Sequence, residues 1–125
     1  MYDLIDRPVS DLPITERRLL AATRSWVHQL TMVGAGSPAA AEKLGGASDA
    51  FDAAMRALDE ESTETFVFER PCHSTVSETE ALWLAAWRLV RADRVVQAKA
   101  ALAAFVEAGS AARVLQPMMR VAARV

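Results

Sequence analysis

The chain has 125 residues and a formal net charge of −2, and 52% of its residues are hydrophobic against 24% charged. These values indicate one globular domain, and the acidic balance argues against a general nucleic-acid binder, which needs a basic surface to release counterions. The single cysteine excludes an internal disulfide framework.

The N-terminus and the lengths of the apolar runs indicate whether the protein is secreted or inserted in a membrane. No basic region precedes an apolar run at residues 1–6, so no secretory signal is predicted. The apolar runs at 81–87 and 100–106 are far shorter than the roughly 20 residues that a membrane-spanning helix needs. We therefore expect no membrane span and a cytoplasmic protein.

Residues 1–13 are predicted to form an irregular N-terminal arm. Pro8 and Pro13 interrupt any helix in this stretch, because proline lacks the N–H that an internal helical bond requires. Four apolar residues lie among the acidic ones: Leu4, Ile5, Val9 and Leu12. We expect them to dock on the body of the same chain rather than on a partner.

The first predicted helix runs from about Thr15, a possible N-cap, to Val33, before Gly34 ends it. At 100° per residue, six side chains share a buried face: Leu19, Thr23, Trp26, Val27, Leu30 and Val33. Three are assigned to the solvent face: Arg17, Arg24 and His28.

Two further helices are predicted before residue 62. The motif Ser37-Pro38 begins a short helix over 38–44, which glycines end. The next helix covers about 48–61. It buries Phe51, Met55 and Leu58 and turns Asp52, Arg56 and Asp59 outward.

An extended segment is predicted near 65–70, because β-branched and aromatic residues alternate there. Phe66 and Phe68 fall on one side of it. The segment either packs as irregular chain with both phenylalanines in the core or pairs with a copy of itself, and we favour the first alternative since the chain offers no second strand.

The helix predicted over about 78–91 is expected to be central. The capping box Ser77-x-x-Glu80 begins it by satisfying two backbone donors reciprocally. Its apolar arc covers roughly 200° and comprises Leu82, Trp83, Ala85, Ala86, Trp87, Leu89 and Val90. The residues assigned to the outward face are Glu80, Leu84, Arg88 and Arg91.

Two more helices complete the chain. The first covers 94–108, and five of its side chains lie on one face: Val95, Ala98, Leu102, Phe105 and Val106. The second runs from 111 to near residue 125, and Pro117 on its polar side is expected to bend it. The predicted fold is therefore all-α, a single domain over 1–125 with five or six helices bundled around the central helix.

Cys72 and His73 are the candidates for chemistry. A thiol near a helix N-terminus can have a lowered pKa, which would suit a reactive or redox-sensing cysteine. The alternative is a packed turn with a buried cysteine and a surface histidine, and we favour it, so neither residue is assigned as catalytic. A zinc site would have to combine these two residues with His28, and no metal-ligand spacing is present, so no metal or other cofactor is predicted.

Sequence-specific DNA binding is not expected either. The helices on either side of Gly109 superficially resemble a helix-turn-helix, but Pro117 lies inside the second one and the total charge is acidic.

For function, we expect a non-enzymatic protein-interaction or regulatory module. Its expected partner is a second copy, in a homodimer, or another protein. The interface candidates are Trp83, Trp87, Leu84 and Arg91. Charge is uneven, because residues 1–71 carry seven basic and twelve acidic side chains and residues 72–125 carry seven basic and four acidic ones. The alternative is a small enzyme or thiol sensor that uses Cys72 and His73.

Overall fold

The structure, a computed structural model, describes residues 3–125 and is all-α, as predicted. Five α-helices lie in this part of the chain: α1 (Ile14–Val33), α2 (Ser48–Glu61), α3 (Glu78–Arg91), α4 (Val95–Ala101) and α5 (Ala111–Ala122). Short 3₁₀ segments cover Val9–Asp11, Pro38–Ala47, Leu102–Ala104 and Ala108–Ser110. Between residues 3 and 125, β-pairing is limited to isolated bridges.

The helices surround a core that α1 and α3 organise. These two helices are antiparallel, because Glu16 near the start of α1 pairs with Arg88 near the end of α3. Helix α3 also packs on α4 and α5, and α2 packs on α5 and on the 3₁₀ segment Pro38–Ala47. The predicted bundle around the helix at 78–91 is therefore confirmed.

The core centres on two tryptophans of α3 that are completely buried. The rings of Trp83 and Trp87 meet edge to face at 5.8 Å, and Phe51 of α2 stacks on Trp87 at 6.0 Å. Phe105 meets the Trp83 ring at 5.6 Å. Aromatic pairs at such distances contribute roughly 0.5–1.5 kcal/mol beyond their buried area.

Two predicted helices differ from the observed elements. The segment predicted as a helix at 38–44 is a 3₁₀ stretch, Pro38–Ala47, with non-helical backbone angles at Ala41 and Gly45. Gly45 has a φ of +60°, a value at which glycine avoids the penalty that a side chain incurs. The helix predicted at 94–108 ends as α-helix at Ala101 and tightens into a 3₁₀ turn.

The N-terminal arm docks on its own chain, as predicted. Leu4 and Leu12 are buried in the core. The backbone N–H groups of Asp6 and Val9 donate to the carbonyls of Val76 and Ser74, both at 2.8 Å. Residues 1 and 2 of the predicted arm lie outside the described part of the chain.

Five residues assigned to solvent-facing positions are buried instead: Arg24, Asp52, Glu80, Leu84 and Pro117. The two central helices explain three of these corrections, on Arg24, Glu80 and Leu84, because α1 and α3 each pack against more than one neighbour and so bury a wider arc than one stripe. On α3 the buried face is centred on the tryptophan side, and Leu82, Ala85 and Leu89 are only partly buried. Val33, assigned to the buried face of α1, is exposed.

The capping box is present as predicted. The Ser77 hydroxyl accepts a hydrogen bond from the Glu80 backbone N–H at 3.2 Å, and the Glu80 carboxylate accepts one from the Ser77 N–H at 3.0 Å. The same carboxylate is also completely buried and serves a second purpose at the candidate site.

We expect Trp83→Phe to destabilise the protein more than Trp87→Phe. Both changes remove similar ring area from the core, but the Trp83 indole N–H donates to the Thr23 hydroxyl at 3.0 Å, and the Trp87 indole N–H is buried with no hydrogen-bond partner in the described chain. One buried hydrogen bond contributes about 1 kcal/mol. Urea unfolding of both variants measures the difference, and equal losses would contradict it.

Candidate functional site

An open cleft of about 520 Å³ lies between α1, α2 and the chain that follows α2. Seven apolar side chains line it: Trp26, Val27, Leu30, Met55, Leu58, Phe66 and Phe68. Its polar lining consists of four hydroxyls and two carboxylates: Thr31, Ser62, Thr63, Thr65, Asp59 and Glu64. Clefts of this size and composition are typical binding sites in proteins.

Trp26 is fixed where it lines the cleft. Its indole N–H donates to Asp52 Oδ1 at 2.9 Å, and Asp52 Oδ2 accepts from Arg56 Nε at 2.8 Å. A side chain at Gly36 would overlap the indole ring, so the glycine lets the backbone pass close to it. The helical pattern did not predict that Asp52 is buried. Asp52 is buried because its carboxylate accepts the hydrogen bond that orients Trp26.

One wall of the cleft is the extended segment predicted near 65–70, which is irregular chain over residues 65–70. Phe66 and Phe68 are partly buried against the core, and the Phe66 ring lies 4.8 Å from the ring of Phe105. Of the two alternatives, packing as irregular chain is therefore the one observed within the monomer. The wall starts where the Thr63 N–H donates to the Phe105 carbonyl at 3.0 Å.

The other end of this wall is held by a buried ion pair. Arg24 of α1 donates to both carboxylate oxygens of Glu80, from Nε at 2.7 Å and from Nη2 at 2.8 Å. The backbone N–H of Glu69 donates to the same carboxylate at 3.0 Å. Arg24 also donates to the carbonyls of His73 at 2.7 Å and Thr75 at 2.8 Å. We name the pair Arg24 and Glu80, with these backbone partners, the clamp.

The clamp favours the ionised form of Glu80. Burial opposes ionisation, but hydrogen bonds from Arg24 and from the backbone N–H groups of Ser77 and Glu69 outweigh it. Together they hold the pKa of Glu80 below its ordinary value of 4.5. The carboxylate therefore stays charged near neutral pH and keeps both the cap and the cleft wall in place.

The charge of the cleft is acidic. Asp59 and Glu64 are exposed at its edge, and no arginine, lysine or histidine lines it among the described residues. Neither carboxylate forms an ion pair with the chain between residues 3 and 125. The cleft thus presents an apolar surface with negative charges beside it.

A second groove lies on the N-terminal half of α1. Its volume is about 480 Å³, and alanines from α1 and from the 3₁₀ segment Pro38–Ala47 form most of its surface. Arg17, Arg18 and Lys43 line it together with Glu42, so it is basic. We name it the basic groove.

Cys72 and His73 do not form a catalytic or binding site together. Cys72 is a free, exposed thiol, so the expectation of a cysteine packed under the turn is corrected. The described contacts of the His73 ring are to Thr75 Oγ1 at 3.3 Å and to Glu69 Oε2 at 3.7 Å, on opposite ring nitrogens. Neither residue lines the cleft or the basic groove.

The structure separates the other candidates as well. His28 is exposed on α1, as predicted. Within residues 3–125, no group of three His, Cys, Asp or Glu side chains could hold a metal ion. Trp83, Leu84 and Trp87 have no exposed surface, which leaves Arg91 as the interface candidate that reaches solvent.

Sequence reasoning found part of the cleft and missed the rest. The alternation at Phe66 and Phe68 indicated an apolar wall, and Trp26 was placed on the buried face of its helix. The clamp was missed, although Leu20, one turn before Arg24, could have shown that this side of α1 is also buried.

Comparison of the chain with protein families, with curated proteins and with solved structures gave no match. No helix in the described residues is both long and apolar enough to cross a bilayer. Function has to be inferred from the cleft itself.

We expect Glu80→Gln to lower the free energy of unfolding near neutral pH by about 3–5 kcal/mol, the usual result of removing one partner of a buried ion pair. Glu78→Gln is the matched control, because Glu78 lies exposed in the same first turn of α3. Its loss should change stability by less than about 1 kcal/mol. Urea unfolding monitored by circular dichroism measures both.

The difference between wild type and Glu80→Gln should depend on pH. The folded pKa of Glu80 is depressed, so the unfolded chain binds this proton more readily. The stabilisation is therefore complete above the ordinary pKa of 4.5 and is lost as the pH falls through the lower folded value. A difference that stays constant down to strongly acid pH would contradict this assignment.

Proposed function

We propose that the protein is a non-enzymatic protein-interaction module that self-associates, and that the cleft is its binding surface. The observation that carries the proposal is the cleft's composition. Seven apolar side chains line a volume of about 520 Å³, and Trp26 within it is fixed by Asp52. Preformed clefts that combine apolar side chains with polar groups able to fix the orientation of a ligand are typical binding sites.

Three of the four hydroxyls in the cleft support binding over catalysis. The hydroxyls of Thr31, Ser62 and Thr63 donate to backbone carbonyls at 3.0, 3.3 and 3.3 Å. A hydroxyl nucleophile needs instead to donate its proton to a base. These three hydroxyls are therefore committed to local structure.

Exposed apolar side chains beside the cleft support a protein as the partner. Met32 and Val33 follow the lining residue Thr31 on α1 and are 69% and 75% exposed. Val67 lies between two phenylalanines of the wall and is 68% exposed. Apolar surface that continues beyond a cleft is typical of contacts with another macromolecule.

Self-association, expected from the sequence on the tryptophan flank of α3, is proposed here on the cleft, because that flank is in the core. A homodimer is the smallest product of such association. The cytoplasmic location stays a prediction.

We expect Thr31→Trp to block the cleft and to weaken self-association, because Thr31 lines the cleft. Met32→Trp is the matched control, since it adds the same ring at an exposed neighbouring position outside the lining. Sedimentation velocity over a concentration series measures association. Emission of Nile red, a neutral apolar dye, reports on the free cleft.

The expected result is association and bright dye emission for the wild type and for Met32→Trp, with both reduced for Thr31→Trp. Identical behaviour of the two tryptophan variants would contradict the cleft as the binding surface. A wild type that neither associates nor binds the dye would contradict the proposal as a whole.

The alternative is a thiol-based function at Cys72, and its support is the exposure of the free thiol. Helix α3 begins at Glu78, six residues further along the chain by their numbers, and helix-dipole effects fall off within one turn. We therefore expect iodoacetamide to modify Cys72 near neutral pH at the rate of an ordinary exposed thiol. A rate roughly tenfold faster or more would indicate an activated thiolate and favour this alternative.

A further inference from the structure

The charge and the apolar lining of the cleft indicate which kind of surface would bind there. Its lining offers two carboxylates, on Asp59 and Glu64, and no cation within the described residues. Interfaces are typically complementary in charge, and like charges set opposite each other are unfavourable by several kcal/mol. The occupant should therefore project an apolar side chain between positive charges.

The turn between α3 and α4 has these properties. It is formed by Ala92 and Asp93, and Asp93 has a φ of +59°, so the chain reverses sharply there. Val96, in the first turn of α4, is 80% exposed, the highest value for a large hydrophobic side chain in the described chain. Arg91, Arg94 and Lys99 lie within five positions of it in the chain and are exposed as well.

We name Arg91, Arg94, Val96 and Lys99 the basic corner. Its three cations exceed the one carboxylate of the turn, on Asp93. The corner lies where two helices meet at a tight turn, and all four of its residues are exposed. Its apolar side chain and its three cations are complementary to the apolar lining and the two carboxylates of the cleft.

We propose that the cleft of one chain receives the basic corner of a second copy. The inference rests on the proposed function, since it names the partner of that same cleft. Val96 would enter among the apolar side chains, and Arg94 and Lys99 would face Asp59 and Glu64. Arg91, an interface candidate from the sequence, belongs to this contact.

The cleft and the basic corner are separate surfaces of each chain. Helices α1 and α3 are antiparallel, and Arg88, just before the corner, pairs with Glu16. The cleft uses α1 from Trp26 onward, so roughly ten residues or 15 Å of helix separate the two surfaces. Two copies that exchange this contact reciprocally about a two-fold axis form a closed dimer, and contacts made in one direction only continue into larger assemblies.

Three other surfaces of a second copy fit the cleft less well. Met32 and Val33 bring no positive charge with them. Met119 on α5 is 42% exposed, about half the value of Val96. The basic groove has the required charge, but it is concave and would not enter another concave surface.

Charge reversal tests the contact on both sides. One variant carries Asp59→Lys and Glu64→Lys in the cleft, and another carries Arg94→Glu and Lys99→Glu at the corner. All four residues are exposed, so the fold should tolerate the changes. The matched control, Arg18→Glu with Lys43→Glu, reverses two exposed cations of the basic groove. Sedimentation velocity measures association at low salt, where charge effects are largest.

Each reversal alone should weaken association by roughly tenfold or more, because it sets like charges against each other. A mixture of the two variants should restore association, as should the chain that carries all four reversals. The groove control should associate like the wild type. Failure of the mixture to restore association, or an equal loss in the control, would overturn the proposal.

Nile red separates this inference from the proposed function. Suppose that the corner reversals leave association unchanged while Thr31→Trp abolishes it together with dye binding. The cleft then remains the binding surface, and the corner is excluded as its occupant. A wild type that stays monomeric while it binds the dye overturns the second-copy inference. If dye binding also fails, the proposed function is contradicted as well.

Discussion

The fold depends on the buried ion pair between Arg24 and Glu80. Burying two charges is unfavourable unless good geometry and further hydrogen bonds compensate. Here the arginine donates to both carboxylate oxygens, and the backbone N–H groups of Ser77 and Glu69 also donate to them, both at 3.0 Å. The arginine in turn holds two carbonyls of the chain between Glu69 and Ser77. One pair therefore joins α1, the start of α3 and the loop that precedes it.

The cleft follows from how the clamp holds that loop. The chain from Thr63 to Glu69 has no neighbouring strand in the described structure, so it is positioned by its ends and by the packing of Phe66 on Phe105. A segment held in this way stands away from α1 rather than filling the space beside it. Because the carboxylate of Glu80 both caps α3 and holds the wall, loss of its charge would loosen the wall of the cleft together with the start of the helix.

The sequence predicted the helices better than it predicted the burial of their polar residues. Periodicity located α1, α2 and α3 within about one residue, since this signal is local. The cap at Ser77 was predicted correctly, but Thr15 was wrong as the N-cap of α1, because the helix already begins at Ile14 after Pro13. Burial of Arg24 and Glu80 depends on a partner 56 positions away in the chain, which no helical period reveals. The cleft was only partly predictable for a related reason. It is the space left between three elements, and its size depends on how they pack.

The carboxylates at the cleft lie at the end of α2 where the helix dipole disfavours them. The C-terminus of a helix carries partial negative charge, so stability favours basic residues in its last turn. Helix α3 follows this rule with Arg88 and Arg91, whereas α2 has no basic residue in its last turn and carries Asp59 beside the cleft. The ion pair of Glu61 with Arg113 at 2.9 Å offsets the unfavourable interaction of Glu61 with the helix dipole. Asp59 has no such partner in the described chain. Carboxylates placed against the dipole lower the stability of the free chain, and a cation from a partner would remove that penalty on binding.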